Sequence, residues 1–457
     1  MAERNSPLIL GTEPIGKLLI QYSVPAIIAM TVTSLYNIID SIFIGHGVGA
    51  LAIAGLAITF PLMNLVVAFC TLVGIGGATI SSIFLGQKDK VRATEVVHNV
   101  LIMCIINAVC FGGLTFLFLD SILLFFGASH DTLPYARDFM QVILLGTPIT
   151  YVFIGLNNVM RATGYPRKAM FSSLLTVGCN IILAPIFIFS FDWGIRGAAL
   201  ATVVSQTVAM VWVLVHFANK KNFIHFDRRY SRLKVRVVAK IFSIGMSPFL
   251  MNVCACVVVI FINNALQHTG GDLAIGAYGI VNRTLMLFVM IVMGITQGMQ
   301  PSVGYNYGAK QYDRVRKTLR YGITAGVVVT TVGFVLSELF PHAIVAMFTT
   351  SEELVDLSVT GLRISCAMFP FVGCQIVISN FFQSIGRAPV SIFLSLSRQL
   401  LFLLPLLLIL PTYWSTNGVW LSMPISDFIA FVIAVMALWI HQRKNQTKIS
   451  NCSILKK

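Results

Sequence analysis

The stretch Leu51-Ala-Ile-Ala-Gly-Leu-Ala-Ile58 recurs in the second half of the chain as Leu273-Ala-Ile-Gly-Ala-Tyr-Gly-Ile280. The same offset of 221 to 223 residues relates the basic loops 86–92 and 308–316, and it relates single prolines, asparagines and glycines along both halves. Self-similarity of this extent is typical of a duplicated architecture. The sequence therefore predicts two halves of similar structure.

The composition indicates that lipid surrounds most of the chain. Of 457 residues, 57% are hydrophobic and 11% are charged, whereas a soluble domain carries about 25% charged residues. Twelve apolar segments can be counted between residues 16 and 440, and a membrane-spanning helix needs about 20 such residues. These segments must be helices, because a backbone in lipid has to satisfy its own hydrogen bonds.

Six segments in each half make both halves enter the membrane in the same direction. Parallel repeats of this kind, related by an axis along the membrane normal, are typical of secondary transporters. We predict an all-α polytopic membrane protein with twelve transmembrane helices in two six-helix lobes. The predicted parts are an N-lobe at 1–217, a basic cytoplasmic linker at 218–240, a C-lobe at 241–441 and a cytoplasmic tail at 442–457.

The basic residues report the topology. Lys and Arg total 32 against 17 Asp and Glu, and they concentrate at the termini and in every second loop, while the alternate loops hold only Arg196. By the positive-inside rule both termini are cytoplasmic. We expect the protein to be integral to the plasma membrane, the inner membrane of a bacterium. The run 218–240 is interpreted as a topology signal that contacts lipid headgroups, not as a nucleic-acid site.

Asp40 is one of four ionisable residues within the predicted spans, where charge is costly and usually marks a function. It follows Tyr36 and Asn37 by one helical turn. One interpretation is a carboxylate that reaches the membrane interface. The other, which we favour because of these polar neighbours, is a site that binds a proton or a cation.

The other three charges, Arg283, Arg398 and Asp427, belong to the predicted C-lobe. Arg398 and Asp427 lie near the middle of adjacent segments, and they are either a structural ion pair or part of coupling or substrate contact. Uncharged polar residues either bond between helices or line the substrate path. The residues open to either interpretation are Asn157, Asn180, Thr202, Gln206, Gln297, Gln300, Gln375 and Asn380.

Other chemistries lack their patterns. There is no GxxxxGK[ST] stretch, so ATP hydrolysis is not expected to drive the protein. The eight histidines have no metal-ligand spacing, and the nine cysteines indicate no metal clip or disulfide framework. We predict that the chain is not an enzyme and has no cofactor, because an intramembrane enzyme needs acid-base or metal groups placed together.

Five stretches make the chain resemble the multidrug and toxic compound extrusion (MATE) family over nearly its whole length. They are the Asp40 segment, Gly164-x-Pro166, Gly386-x-x-Pro389, Trp193-Gly-Ile-Arg-Gly-Ala-Ala-Leu-Ala-Thr202 and Gly298-Met-Gln-Pro-Ser-Val-Gly-Tyr-Asn-Tyr-Gly-Ala309. The chain is more similar to the DinF-like than to the NorM-like branch, because segment seven has no carboxylate. The resemblance implies a V-shaped fold that exports bulky, often cationic and aromatic compounds as H+ or Na+ flows inward.

The resemblance also assigns a site in the N-lobe. The positions that match the family's coupling site are Asp40, Asn180, Ala198 through its carbonyl, and Thr202. Residues that match the cavity lining are Tyr36, Asn37 and Asn157, and we assign Gln206, Gln297 and Gln300 to the same substrate cavity. The family's Asn-x-x-x-Asp-Pro reads Asn180-Ile-Ile-Leu-Ala-Pro185 here. Because Na+ prefers several hard oxygen ligands, the missing carboxylate at Ala184 favours H+ over Na+.

Three alternatives compete with this interpretation. A lipid-linked saccharide flippase of the same superfamily ranks second, since only Arg283 and Arg398 are available to meet pyrophosphate. The major facilitator architecture is disfavoured because this chain lacks the Gly-x-x-x-Asp-Arg-x-Gly-Arg loop typical of it. A membrane enzyme or receptor is disfavoured because it gives no reason for the internal repeat. The predicted partners are small-molecule drugs or toxic organic cations and membrane lipids, with no nucleic acid, and we expect a monomer.

Overall fold

The computed structural model describes residues 9–48, 50–230, 232–349 and 351–454, with side chains not described at 37, 38, 41, 42, 45, 46, 50, 53, 54, 228, 272 and 444–454. In these ranges the chain is helical and contains no β-strand. The α-helices are α1 Ile9–Thr12, α2 Ile15–Gly47, α3 Ala50–Gly86, α4 Lys90–Leu117, α5 Leu119–Phe125, α6 Leu133–Leu145, α7 Thr147–Ala162, α8 Pro166–Pro185, α9 Gly194–Ala218, α10 Val235–Gly308, α11 Tyr312–Leu339, α12 Pro341–Ala346, α13 Glu352–Cys366, α14 Phe369–Ser384, α15 Ala388–Leu396 and α16 Leu404–Ile454. The predicted all-α class is confirmed.

Within the described residues, nine helical stretches are long and apolar enough to cross a membrane, or eleven if two bent helix pairs each form one span. The last stretch, Ala388–Arg443, is 56 residues long and contains non-helical backbone at Trp414 and Ser415. At 1.5 Å per residue it exceeds a bilayer core of about 30 Å. Twelve crossings are consistent with this break, and the lobe layout stays a prediction.

The Gly-Pro motifs form matching turns in the two repeats. Helix α7 ends at Ala162, Gly164 takes φ +108° and Pro166 begins α8. In the second repeat α14 ends at Ser384, Gly386 takes φ +76° and α15 follows. A glycine with positive φ ends a helix without steric cost, and proline favours the first turn of the next helix. These motifs therefore fix where α8 and α15 start.

The described chain divides into two compact units. The first runs through Val253 and adds Gln297–Thr318 and Ser384–Ala388. The second holds Cys254–Thr296, Leu319–Gln383 and the chain from Pro389 onward. The predicted lobe boundaries stay predictions.

The motif Gly298–Ala309 explains how residues from the second repeat pack within the first unit. A Cβ atom at Gly86 would lie 1.9 Å from the Tyr305 carbonyl oxygen, and one at Gly308 would lie 2.1 Å from that of Ile83. Real Cβ contacts are never so short, so the backbones of α3 and α10 meet at van der Waals distance only because both positions are glycine. Nearby, Asn306 Nδ2 donates to the Leu10 carbonyl at 3.0 Å.

The basic segment after α9 is bound to the first unit. The Asp227 amide donates to His98 Nε2 at 2.9 Å, and the Lys234 amide donates to Asn99 Oδ1 at 2.9 Å. The Lys234 ammonium also pairs with Glu95, whose side chain is nearly fully buried. We call residues 219–240 the basic strap. Its described residues are attached to the first unit, because two of its backbone amides donate to side chains on α4.

Candidate functional site

The carboxylate of Asp40 lies seven residues before the end of α2, a 33-residue helix whose apolar sequence suits a membrane. In the described part of the chain, Asp40 Oδ1 is buried and accepts no hydrogen bond. A buried carboxylate oxygen without a donor is costly while the group is ionised. Binding of a proton or a cation would therefore stabilise Asp40.

A hydroxyl-centred network joins three helices on the Asp40 side of α2. Thr202 on α9 donates from Oγ1 to the Ala198 carbonyl at 3.2 Å and accepts from Asn180 Nδ2 on α8 at 3.0 Å. The Tyr36 hydroxyl lies 3.1 Å from the same oxygen. Residues four apart share a helix face, so Tyr36 projects from the face that carries Asp40. The structure thus brings Tyr36, Asn180, Ala198 and Thr202 together, one turn from Asp40.

Ala184, where the family pattern has a carboxylate, is completely buried. It packs in an apolar cluster with Ile188, Ile195 and Ala198. Within the described ranges, no three His, Cys, Asp or Glu side chains gather into a group that could hold a metal ion. Asp40 therefore faces the network without a second carboxylate from position 184.

Two other predicted residues of this half belong to different contacts. Asn157 is 5% exposed, and its Nδ2 donates to Ser172 Oγ at 3.0 Å, which ties α7 to α8. Gln206 Oε1 accepts a hydrogen bond from the Thr150 hydroxyl. The side chain of Asn37 lies outside the described part of the structure. The geometry therefore places Asn157 and Gln206 in helix-to-helix bonds separate from the Thr202 network.

Gln297 and Gln300 also bond within the first unit. Gln300 Nε2 donates to Thr79 Oγ1 at 2.6 Å. Gln297 Oε1 accepts from Arg161 Nη1, and Arg161 is a residue that the sequence analysis did not single out. A basic residue just before a helix-ending glycine resembles an ordinary topology signal. The sequence therefore did not indicate that Arg161 donates a hydrogen bond to Gln297.

The second unit contains the ion pair of Arg398 and Asp427. Arg398 Nε donates to Asp427 Oδ1 at 2.6 Å, and the two side chains are 32% and 9% exposed. Arg398 lies in a π-helical turn, Ser397–Leu403. Arg283 is exposed on α10 and forms no ion pair with any described residue. The two charges predicted on adjacent segments therefore meet directly.

We expect Thr202→Val to weaken the network around position 202. Valine keeps the shape of threonine but leaves the Tyr36 hydroxyl and the Asn180 amide without this partner, which costs about 1–3 kcal/mol. The free energy of unfolding in detergent should fall by that amount.

Thr207→Val is the matched control for this experiment. Thr207 lies on the same helix, and among the described residues its hydroxyl donates only to the Val203 carbonyl, at 2.8 Å. Equal losses in the two variants would mean that the Thr202 network has no special role.

The comparison with protein families decides the identity. The MatE family model matches residues 25–186 and 244–409. The chain belongs to the MatE family. This MatE protein is 28% identical over 445 residues to the multidrug export protein MepA of Staphylococcus haemolyticus, with 96% of each chain covered. It is 26% identical over 431 residues to MepA of Staphylococcus aureus, covering 93% of this chain and 94% of that protein.

Solved structures agree with this assignment. The MATE multidrug transporter DinF-BH is 36% identical with a TM-score of 0.87, covering 94% of this chain and 96% of that one. A MOP superfamily transporter from Pyrococcus furiosus is 24% identical with a TM-score of 0.91, covering 97% and 98%. The latter likeness concerns the fold alone.

Family membership confirms three predictions. This MatE protein has the family's fold, it is an integral membrane transporter, and it is not an enzyme. The major facilitator and membrane-enzyme alternatives are thereby excluded. Assignment to the DinF-like branch stays a prediction, which the 36% identity to DinF-BH supports.

Proposed function

We propose that the chain is a secondary active antiporter that exports amphipathic, often cationic organic compounds in exchange for protons. The curated relatives are multidrug export proteins, and DinF-BH is a multidrug transporter. The observation that carries the coupling proposal is the buried Asp40 oxygen, which has no hydrogen-bond donor among the described residues. Two lobes that alternate in access would expose this carboxylate first to one side of the membrane and then to the other.

The energetics of Asp40 support a proton as the driving ligand. Charge in a span is costly, so the ionised form is tolerated while water reaches the carboxylate, and the protonated form is favoured when water is excluded. A ligand shifts a conformational equilibrium only by its difference in affinity for the two states. A proton at Asp40 meets this condition, because the two states differ in access to water.

Na+ is the alternative coupling ion and is less well supported. Hard cations require several oxygen ligands, but the Thr202 hydroxyl is committed to Asn180 and the Ala198 carbonyl. Position 184 supplies a methyl group where the family pattern has a carboxylate. A proton needs only one carboxylate oxygen, and Asp40 Oδ1 accepts no hydrogen bond from the residues that the structure describes.

The proposal also covers the orientation of the protein and the membrane in which it lies. The basic loops and both termini would face the cytoplasm from a bacterial inner membrane. The predicted N-lobe and C-lobe would be the alternating bodies of a monomer. Small organic molecules and surrounding lipids would be its partners, and no further cofactor would be needed.

Dye efflux from proteoliposomes tests the function. With an inward pH gradient alone, we expect rhodamine 123 to be exported well above the leak of protein-free vesicles, and a protonophore should stop the export. With a Na+ gradient alone, we expect only the leak. Export that follows Na+ instead would contradict proton coupling.

A lipid-linked saccharide flippase is the second candidate. The observation in its favour is that Arg283 and Arg398 both retain exposure within spans, where they could meet a pyrophosphate group. Absence of dye export under both gradients, together with translocation of a pyrophosphate-linked lipid, would put this candidate first.

A further inference from the structure

Arg398 lies near the middle of the membrane. It is ten residues beyond Ala388, the start of α15, which corresponds to about 15 Å of helix, or half the thickness of the bilayer core. Asp427 is twelve residues beyond the break at Ser415, about 18 Å along the other helix. The ion pair therefore sits at a depth where headgroups cannot neutralise a charge.

The exposed part of Arg398 faces water. Its side chain is 32% exposed, whereas that of Asp427 is 9% exposed. Charged residues in spans almost always face the protein interior or a water-filled cavity, because exposure to lipid at mid-depth is too costly. The exposed fraction of the Arg398 side chain thus belongs to a water-accessible surface of the second unit.

One edge of the guanidinium group is unoccupied. Asp427 Oδ1 accepts from Nε, and neither Nη nitrogen has a hydrogen-bond partner in the described part of the chain. A guanidinium has a second, end-on edge formed by its two Nη groups, which matches the two oxygens of a carboxylate. The buried Asp427 fixes the plane of the group and leaves this edge free.

The local helix geometry is also unusual at this point. Arg398 is the second residue of the π-helical turn Ser397–Leu403, and π-turns within α-helices occur frequently at functional sites. Gln399 adds a buried side-chain oxygen that accepts no hydrogen bond among the described residues. A site that only packed two helices together would need neither feature.

We propose that the free edge of Arg398 binds the carboxylate of amphipathic substrates that carry one. This inference rests on the proposed export function and specifies one substrate contact in the second unit. Asp427 is a positioning residue, which holds the guanidinium plane and keeps the empty site electrically neutral. Cationic substrates without a carboxylate do not use the edge.

A pair of dyes with the same xanthene core tests this inference. Rhodamine 110 carries a free carboxylate, and rhodamine 123 is its methyl ester. The readout is the ratio of their export rates under one pH gradient, and the ratio of their affinities for purified protein by fluorescence anisotropy. Arg398→Gln alone leaves the buried Asp427 carboxylate without its partner, which favours misfolding. The double variant Arg398→Gln/Asp427→Asn removes both charges and is therefore the main test.

In the double variant, we expect the rhodamine 110 to rhodamine 123 ratio to fall at least about tenfold, the factor that one hydrogen bond to a charged group provides. Arg398→Lys should lie between the double variant and wild type, because it keeps the charge without the planar edge. Arg363→Gln is the control, since Arg363 pairs with Glu338 at 3.6 Å elsewhere in the second unit, and it should leave the ratio unchanged.

An unchanged ratio in the double variant would overturn the inference. A selective loss of rhodamine 110 export in Arg283→Gln, with no such loss in the Arg398 variants, would also overturn it. The binding assay separates the two proposals. If wild type exports neither dye but binds rhodamine 110 in an Arg398-dependent way, the export function fails and the carboxylate site stands.

Discussion

Asp40→Asn is expected to reduce proton-driven dye export to the leak rate of protein-free vesicles. Asparagine has the same shape as aspartate but neither gains nor loses a proton. Without a ligand whose affinity differs between the two conformations, the pH gradient has no means of driving the cycle. The measurement is rhodamine 123 efflux from proteoliposomes under an inward pH gradient.

Binding and export should respond differently in this variant. Asparagine resembles protonated Asp40, so the purified variant should still bind dye with an affinity close to that of wild type. Asp138→Asn makes the same charge change at a surface carboxylate that pairs with Arg196 at 2.7 Å, and it should export at the wild-type rate. Full export by Asp40→Asn would end the proposal that this carboxylate couples transport to protons.

Gly86→Ala is expected to destabilise the protein by about 1–3 kcal/mol, the usual cost of forcing extra volume into a packed interior. The new methyl group would lie 1.9 Å from the Tyr305 carbonyl oxygen, a backbone atom that cannot rotate away. The helices α3 and α10 must therefore separate. The measurement is the free energy of unfolding of the purified protein in detergent.

Gly178→Ala provides a control with the opposite sign. Gly178 lies within α8, and a Cβ there meets nothing within 4 Å. Alanine should stabilise that helix by about 0.4–1 kcal/mol through the unfolded state. If both variants were stabilised alike, the close approach of α3 and α10 would not exist in the folded protein.

Local sequence patterns were enough to predict the class of fold. The apolar runs required helices in lipid, and the polar interruptions set several boundaries. Non-helical backbone occurs at Gly271 and at Trp414–Ser415, where the sequence places polar residues between apolar segments. These features depend on residues close together in the chain, which is why periodicity and composition reveal them.

Pairings between distant residues could not be predicted in the same way. Arg161 and Gln297 are 136 residues apart, and Thr79 and Gln300 are 221 residues apart. The sequence marked the glutamines as polar residues in apolar helices, but it had no means of naming their partners. Arg161 was missed because the positive-inside rule already explained a basic residue at that position.

The candidate site was predicted in two different ways. Asp40 was found from the cost of charge in a span, and the geometry around Thr202 was expected only from family resemblance. The basic strap was predicted only as a cytoplasmic linker. Its charge indicated on which side of the membrane it lies, but not that it binds to α4. Its attachment depends on three buried acceptors on α4, Glu95, His98 and Asn99, which carry no distinctive sequence pattern.

The inclusion of Gln297–Thr318 in the first unit has a consequence for biosynthesis. A ribosome releases the chain from its N-terminus, and domains generally fold in that order. The strap can dock as soon as it is made, because α4 precedes it. Other contacts of the first unit, however, involve residues that are synthesised later. Examples are the contacts made by Gly86, Arg161 and Leu10. The first unit therefore cannot complete its packing until Ala388 has been translated, and the first repeat alone is not a self-sufficient folding unit.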